Sequence, residues 1–161
     1  ESEEGKGSKF WFILPYVPGK AAAQRTEEQY PAVSVEKNKL MILIAEDNDS
    51  NYRLFESILR KEYTLLHAWN GQEAVEIYRQ HRPHLVLMDI NMPVMNGYEA
   101  TAEIRKLSES VPIIAVTAFA FASDEQKVLQ SGFDGYMAKP INALQLRTQI
   151  VDMLRKHVVL L

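Results

Sequence analysis

The chain has 161 residues, 47% hydrophobic and 24% charged, so it is long enough for one ordinary globular domain and an extension. Its net charge is -3, without the clustered excess of lysine and arginine that is typical of nucleic-acid surfaces, and we expect no direct binding to nucleic acid. The absence of cysteine excludes disulfides and thiolate chemistry, and no apolar run approaches the roughly 18 residues of a membrane-spanning helix.

The first forty residues predict one isolated strand followed by a linker. Residues 10–14 are aromatic and aliphatic and end at Pro15, which predicts a strand without a nearby partner. Residues 17–38 are rich in proline, alanine and polar side chains, as linkers are. Because an unpaired apolar strand tends to pair with another edge, we predict that residues 8–14 pack against a second copy of the chain or onto the following domain. The chain begins at Glu1 without methionine, so we expect it to be a piece of a longer protein.

From residue 40 onward, short apolar runs alternate with amphipathic segments. The five apolar runs predict strands at residues 40–45, 63–69, 84–89, 111–118 and 133–138. The segment after each run places apolar residues three or four positions apart, as amphipathic helices do. Five repetitions of strand and helix predict a parallel sheet with helices on both faces.

The predicted strands end in polar residues that would share one edge of the sheet. These residues are Glu46, Asp47, Asp89, Thr117 and Lys139. A single acid after a strand is most often a solvated turn residue, but three carboxylates converge if the first and third strands are neighbours. Two carboxylates ~4 Å apart repel by about 4 kcal/mol at an effective dielectric of about 20, so the group requires a cation. An all-oxygen site of this kind suits Mg²⁺.

Two further side chains at the same edge suit the chemistry of phosphate. Lys139 would supply a mobile positive charge, and Thr117 would supply a hydroxyl donor. Combined with an acidic nucleophile and Mg²⁺, they predict phosphoryl transfer to a carboxylate.

The region from Leu40 to about Leu154 resembles the receiver domain of two-component response regulators. The matching features occur in order: the acid pair Glu46-Asp47, Asp89 followed by M-P-x-M-N-G, Thr117-Ala118, Tyr136 and Lys139-Pro140. The resemblance implies an α/β, flavodoxin-like, doubly wound fold with a five-stranded parallel sheet of order 2-1-3-4-5 and helices on both faces.

The resemblance also implies roles for the acidic residues. Asp89 would accept the phosphoryl group. Asp47 would bind Mg²⁺ directly and Glu46 through water, and the backbone carbonyl of Asn91 would complete the metal site.

The remaining matched residues would recognise the phosphoryl group and transmit its presence. Lys139 would pair with the phosphoryl oxygens, and its bond to Pro140 would be cis. Thr117 would bond to the phosphoryl group, and Tyr136 would be the switch aromatic that turns inward. Taken alone, Thr117 and Tyr136 are better explained as ordinary strand residues, because branched and aromatic side chains are common in strands. Phe119 and Phe121 follow Thr117, and the sequence leaves open whether they contact a partner or cover the switch.

The N-terminal segment resembles the last strand of the ATP-binding domain of sensor histidine kinases. The residues that match its G-x-G-S-x-F-x-F-x-L-P pattern are Gly5, Gly7, Ser8, Phe10, Phe12, Leu14 and Pro15. The resemblance implies a kinase-domain strand at 1–16, a linker at 17–38, a receiver domain at 39–157 and a tail at 158–161. That order is the one found in hybrid histidine kinases. The ATP site of such a kinase is missing here, so we expect no kinase activity from this piece.

The predicted function is Mg²⁺-dependent acceptance of a phosphoryl group by Asp89 from a phosphohistidine, which switches the domain's conformation. The donor would be a histidine-kinase core in the same or another chain, and the recipient a histidine phosphotransfer domain or a downstream output. We expect a cytoplasmic location, with the parent protein anchored to the membrane. One alternative is a Mg²⁺-dependent phosphohydrolase with an aspartate nucleophile, although such enzymes usually have an acid where Asn91 lies. The other is an interaction module that is not phosphorylated.

Overall fold

The computed structural model of the protein describes residues 2–3, 7–8, 40–118 and 122–158. The chain divides into two units, Glu1–Val33 and Ser34–Leu161. In the first unit, β1 (Ser2–Glu3) pairs in antiparallel fashion with β2 (Gly7–Ser8). Several predictions concern residues that lie outside the described ones. These are the strand at residues 10–14 with its self-association, the linker at 17–38, Phe119, Phe121, and residues 159–161 of the predicted tail.

The second unit alternates strands and helices from end to end. Its elements are β3 (Met41–Ala45), α1 (Asp49–Leu59), β4 (Thr64–Ala68), α2 (Gly71–His81), β5 (Leu85–Asp89), α3 (Gly97–Leu107), β6 (Ile113–Thr117), α4 (Ala122–Gln130), β7 (Gly135–Ala138) and α5 (Ala143–Val158). Each strand lies within a predicted one and is shorter by one to three residues. Across the described residues, no helix combines the length and the hydropathy needed to cross a membrane.

The five strands form one parallel sheet in the order β4-β3-β5-β6-β7. Counted from β3, this is the order 2-1-3-4-5, and the predicted doubly wound fold is confirmed. Ala45 is in register with Met88, so the residues that follow β3 lie beside the end of β5. Thr117 is in register with Ala138, so the residue after β7 lies beside the end of β6. The sheet therefore brings its polar strand ends to one edge.

The core has two layers because side chains of each strand alternate between the two faces of the sheet. On β5, Val86 and Met88 pack in one layer with residues of α2 and α3, and Leu85 and Leu87 pack in the other with residues of α1 and α5. Every residue of β5 is buried, which explains its continuous apolar run. Burying each large aliphatic side chain stabilises the fold by roughly 1.5–3 kcal/mol.

Four of the described helices start at the carboxyl edge of the sheet with an asparagine N-cap. The side chains of Asn48, Asn70, Asn96 and Asn142 each accept the backbone N–H of the residue three positions later. In α3 the cap is reciprocal, because Glu99 also accepts the backbone N–H of Asn96. Such caps typically contribute about 1 kcal/mol each. They fix where each helix begins relative to the polar strand end before it.

Candidate functional site

Three carboxylates meet at the ends of β3 and β5. Glu46, Asp47 and Asp89 each offer an oxygen within 4.8 Å of the others. Glu46 and Asp89 are almost fully buried, at 1% and 4% exposure, whereas Asp47 is exposed. The donor set consists of hard oxygen atoms, one of them open to solvent. It fits a divalent cation such as Mg²⁺, which prefers oxygen ligands and keeps several of its waters.

Lys139, directly after β7, is paired with both buried carboxylates. Its Nζ donates to Glu46 Oε2 at 2.8 Å and to Asp89 Oδ2 at 2.6 Å. Its backbone N–H donates to the carbonyl of Thr117 at 2.8 Å, which ties the base of the side chain to the end of β6. The peptide bond between Lys139 and Pro140 is cis. The Lys139 ammonium thus connects the end of β7 to the carboxylates at the ends of β3 and β5.

Burial and the hydrogen bond between Asp89 and Lys139 shift the pKa of each group in opposite directions. Burial raises the pKa of the Asp89 carboxyl above its ordinary value, and the Glu46 carboxylate raises it further, against the lowering effect of the hydrogen bonds from Lys139 and the Asn91 N–H. Burial lowers the pKa of Lys139, but its hydrogen bonds to Asp89 and Glu46 outweigh this and leave the pKa above its ordinary value. Asp89 is therefore a poorly solvated anion that gains from additional positive charge.

The loop after Asp89 holds that carboxylate through backbone contacts. Asp89 Oδ1 accepts the backbone N–H of Asn91 at 2.9 Å. The carbonyl of Pro93 accepts the N–H of Met95 at 2.8 Å across Val94, which has a φ of 68° and is 84% exposed. This is a γ-turn of the strained hand, which a β-branched residue rarely adopts. The turn keeps the loop short beside the acid cluster.

Two glycines allow this loop to lie close to its neighbours. A Cβ on Gly97 would lie 2.3 Å from the carbonyl oxygen of Asp89, and its N–H donates to the carbonyl of Ile90 at 2.9 Å. A Cβ on Gly71 would lie 2.3 Å from the carbonyl oxygen of Met95, which accepts the Gly71 N–H at 3.0 Å. The beginning of α3 is therefore in direct backbone contact with the end of β5.

Glu46 has further partners that the sequence did not indicate. Its Oε1 accepts the backbone N–H of Asn48 at 3.2 Å and the side-chain Nδ2 of Asn51 at 3.0 Å. Its carbonyl oxygen lies 2.9 Å from Nε2 of His67, whose ring stacks on Tyr52 with centroids 3.7 Å apart. The signal that could have found Asn51 is its place in the first turn of the helix that follows Glu46.

The two predicted switch residues lie on neighbouring strands. Thr117 is buried at the end of β6, beside the acid cluster's edge of the sheet. Tyr136 lies on β7, is partly buried and packs against the core layer that includes α2 and α3. Its backbone carbonyl accepts the side chain of Gln149 at 3.2 Å, which links β7 to α5. The structure therefore places Thr117 near Lys139 and Tyr136 farther along the β7–α5 side.

The sequence of this region matches a known family of domains. Residues 42–151 match the profile of the response regulator receiver domain. The polar-differentiation response regulator DivK of Brucella anthropi is 40% identical to this chain over 104 residues, which cover 63% of this chain and 85% of that protein.

Solved structures give the same result. The receiver domain of the sensor histidine kinase PA1611 from Pseudomonas aeruginosa PAO1, with a magnesium ion coordinated in its active site cleft, is 36% identical with a TM-score of 0.67, covering 71% of this chain and 97% of that one. A second match is to the co-crystal structure of the Saccharomyces cerevisiae histidine phosphotransfer signaling protein Ypd1 and the receiver domain of its downstream response regulator Ssk1. It is 36% identical with a TM-score of 0.67, covering 72% of this chain and 89% of that one.

Proposed function

Because the chain belongs to the family of response regulator receiver domains, we propose that Asp89 is the carboxylate on which it accepts a phosphoryl group. Receiver domains are the switches of two-component phosphorelays, and this is the function of the chain. The observation that supports Asp89 as the acceptor is the Lys139 ammonium, which bonds at once to Asp89 and to its buried neighbour Glu46.

In the proposed reaction, a carboxylate oxygen of Asp89 forms a bond to phosphorus. The N–P bond of a phosphohistidine on the donor breaks, and its electron pair returns to the imidazole ring. Lys139 then pairs with the phosphoryl oxygens, and the hydroxyl of Thr117 donates to one of them. The phosphoryl group adds a charge of about -1.5 to -2 beside the carboxylates, which preorganised positive charge must stabilise.

Mg²⁺ is the proposed cofactor, held by Glu46, Asp47, Asp89 and the backbone carbonyl of Asn91. Asp47 would bind the ion directly and Glu46 through water. When bound, the ion would neutralise charge on the phosphoryl oxygens. The three carboxylate oxygens within 4.8 Å of one another support this set, as does the magnesium ion in the related PA1611 receiver domain.

The proposed output is a change in the surface formed by α4, β7 and α5. Thr117 would move toward the phosphoryl group and Tyr136 would turn inward after it. Among the side chains described at 126–130, Val128 is buried and the others are exposed, so this part of α4 has a small area to repack. A few kcal/mol of differential interaction suffices to shift such an equilibrium.

The proposed partners are a histidine-kinase core as donor and a histidine phosphotransfer domain or downstream output as recipient. The Ypd1–Ssk1 co-crystal, which contains a phosphotransfer protein and a receiver domain, supports this pairing. We further propose that the parent protein is a hybrid histidine kinase, with a kinase-domain strand at 1–16, a linker at 17–38 and the receiver domain at 39–157. The support is the N-terminal motif and the likeness to the receiver domain of a sensor histidine kinase.

The two alternative functions are less well supported. A phosphohydrolase would need a second acid near the nucleophile, and the residue two positions after Asp89 is Asn91, which is exposed. An interaction module that is never phosphorylated would have no use for two buried carboxylates bonded to a lysine, because such an arrangement costs desolvation energy.

Incubation of the full chain with acetyl phosphate and Mg²⁺, followed by intact-mass measurement, tests the proposal. We expect the wild type to gain the mass of one phosphoryl group and Asp89→Asn to gain none. Asp152→Asn, an exposed acid on α5, is the matched control and should be modified like the wild type. An adduct that persists in Asp89→Asn, or no adduct on the wild type, would contradict the proposal.

A further inference from the structure

We propose that Asn51 is a positioning residue that holds the Glu46 carboxylate in place, and that the domain depends on it most when Lys139 has turned to the phosphoryl group. The inference rests on the proposed function, because it takes Glu46 as part of the Mg²⁺ site. Asn51 lies on α1 and is not among the residues that match the receiver-domain pattern.

The Glu46 carboxylate is buried, and its two oxygens have different partners. Oε2 accepts from the Lys139 ammonium at 2.8 Å. Oε1 accepts from Asn51 Nδ2 at 3.0 Å and from the Asn48 backbone N–H at 3.2 Å, the long end of the usual range. Asn51 is therefore the closer of the two donors that hold Oε1.

The position of Asn51 is itself fixed. Its backbone N–H donates to the N-cap side chain of Asn48 at 3.1 Å, so the same cap that begins α1 also sets where the Asn51 amide points. Glutamate has one more rotatable bond than aspartate, so a buried Glu46 needs such a restraint to present its carboxylate in one orientation. A neutral amide supplies the restraint without adding a charge that would compete with the cation.

The backbone of Glu46 is held by other groups. Its N–H donates to the carbonyl of Ala68 at 3.0 Å, and its carbonyl oxygen lies 2.9 Å from Nε2 of His67. Loss of the Asn51 amide should therefore leave the main chain in place and release only the carboxylate. This separates a positioning role from a general structural one.

The state of Lys139 determines how much Asn51 matters. In the resting protein the ammonium is shared between Glu46 and Asp89, so Glu46 keeps a charged donor even without Asn51. When Lys139 pairs with a phosphoryl group, Oε2 loses that donor while Glu46 stays buried. The carboxylate then keeps the Asn51 amide and the Asn48 N–H as its donors. Truncation of Asn51 should therefore destabilise the active state more than the resting state.

The experiment compares Asn51→Ala, Asn51→Gln and the control Ser50→Ala in the full chain. Ser50 is exposed in the same turn of α1, so its substitution reports the effect of a new alanine in the helix alone. Three quantities are measured: the melting temperature without metal, the Mg²⁺ dissociation constant by calorimetry, and the lifetime of the phosphoryl group after acetyl phosphate is removed. The Mg²⁺ measurement does not require phosphorylation.

We expect Asn51→Ala to melt within a few degrees of Ser50→Ala without metal. It should bind Mg²⁺ about tenfold more weakly, the usual result of removing a group that hydrogen-bonds to a metal-binding side chain. Its phosphoryl lifetime should also change, whereas that of Ser50→Ala should not. Asn51→Gln retains an amide donor and should recover part of the affinity. In a Glu46→Gln background, Asn51→Ala should lose its effect on Mg²⁺ affinity.

Two results would overturn the inference. One is Mg²⁺ affinity and phosphoryl lifetime in Asn51→Ala equal to those of the wild type, with Asp89 still phosphorylated. The other is a loss of affinity that is the same in the Glu46→Gln background, since Asn51 would then act elsewhere. If instead the wild type binds Mg²⁺ but Asp89 takes no phosphoryl group, the proposed function fails while the link between Asn51 and Glu46 is still decided by the affinities.

Discussion

The two ends of the sheet each hold a cation in a polar network, but only the network at the carboxyl end has an imbalance of charge. At the amino ends of β6 and β7, the guanidinium of Arg105 donates to the carbonyls of Gly132, Val111 and Ser108 and to one carboxylate, Asp134. At the carboxyl ends, the Lys139 ammonium faces a cluster of three carboxylates.

The difference in cation matches the difference in role. The planar guanidinium of Arg105 fits fixed acceptors, and Asp134 in turn accepts the backbone N–H of Ile113 at 2.7 Å, so this network joins segments permanently. Lysine carries a compact charge on a flexible stem and can exchange one acceptor for another. The Arg105 network is balanced in charge and stabilises the fold. The Lys139 network has excess negative charge and can bind an additional cation. Substitutions at the two networks should separate these two roles.

The largest effect is expected from Arg105→Ala. The substitution removes the guanidinium from three backbone carbonyls and from the Asp134 carboxylate, which keeps the Ile113 N–H as a donor. We expect it to lower the free energy of unfolding by about 2–3 kcal/mol, somewhat below the cost for a fully buried pair. Urea unfolding measures this. Where the variant is folded, it should still be phosphorylated on Asp89. Lys106→Ala, which breaks the exposed pair with Glu103, should cost less than about 0.5 kcal/mol. Equal stabilities would show that Arg105 is not an anchor.

Lys139→Met should have a smaller effect on stability than Arg105→Ala but a large effect on phosphorylation. Without metal we expect a loss of about 1–2 kcal/mol, because the charge-assisted hydrogen bonds to Glu46 and Asp89 disappear. The loss is smaller than for Arg105 because Asp89 Oδ1 and Glu46 Oε1 keep their N–H donors. Mg²⁺ should then raise the melting temperature more than it does in the wild type, since the carboxylates have lost their internal cation. Phosphorylation by acetyl phosphate should fall sharply. A variant that is phosphorylated at the wild-type rate would assign Lys139 a purely structural role.

The raised pKa of Asp89 predicts a pH dependence of a defined sign. Because the folded state holds this proton more tightly than the unfolded state, the contribution of Asp89 to stability is present below its ordinary pKa of 3.8 and is lost as the pH rises through the raised value. At neutral pH without metal, Asp89→Asn should therefore melt at a higher temperature than the wild type. The difference should shrink as the pH is lowered toward the ordinary carboxyl range.

Added Mg²⁺ provides the control for this pH dependence. It should stabilise the wild type and have a smaller effect on Asp89→Asn, because the variant lacks one carboxylate of the cluster. A metal-free Asp89→Asn protein that is less stable than the wild type at neutral pH would contradict the prediction.

The smallest effect is expected at a hydroxyl next to the Arg105 network. Within the described part of the chain, Thr101 Oγ1 is buried without a hydrogen-bond partner, and its methyl group lies near Gly132. Thr101→Val keeps the shape and removes the unsatisfied oxygen, so we expect a gain of about 0.5–1 kcal/mol in thermal or urea unfolding. Thr148→Val is the control, because that hydroxyl donates to the carbonyl of Leu144. A larger gain at residue 148 would show that the buried hydroxyl has no cost.

The sequence was sufficient to predict the sheet and the acid cluster because both depend on backbone order. Once five strand–helix repeats are recognised, parallel pairing brings Glu46, Asp89 and Lys139 to the same edge whatever their rotamers. The ends of the strands were less predictable. Trp69 continues the apolar pattern of β4, yet its backbone N–H donates to the Glu73 side chain at 2.9 Å and not to a neighbouring strand. At the other end of β4, the backbone N–H of Tyr63 donates to the carbonyl of Leu59 at the end of α1.

The contacts that complete each network could not be predicted for a different reason. Asn51 reaches Glu46, and Arg105 reaches Asp134 from 29 positions away, only after the helices have packed and the rotamers are chosen. The pairing of β1 with β2 was also missed, because strands of two residues are too short to show an alternating pattern.

The contact between Gly97 and the carbonyl of Asp89 has a consequence for how the domain tolerates change. Main-chain atoms of β5 and α3 set this spacing, and no side chain lies between them. A single methyl group at residue 97 would therefore displace the carbonyl of Asp89 directly, whereas a smaller side chain in the aliphatic core removes no atom of this contact. The position of Asp89, the proposed acceptor, therefore depends on residue 97 having no side chain.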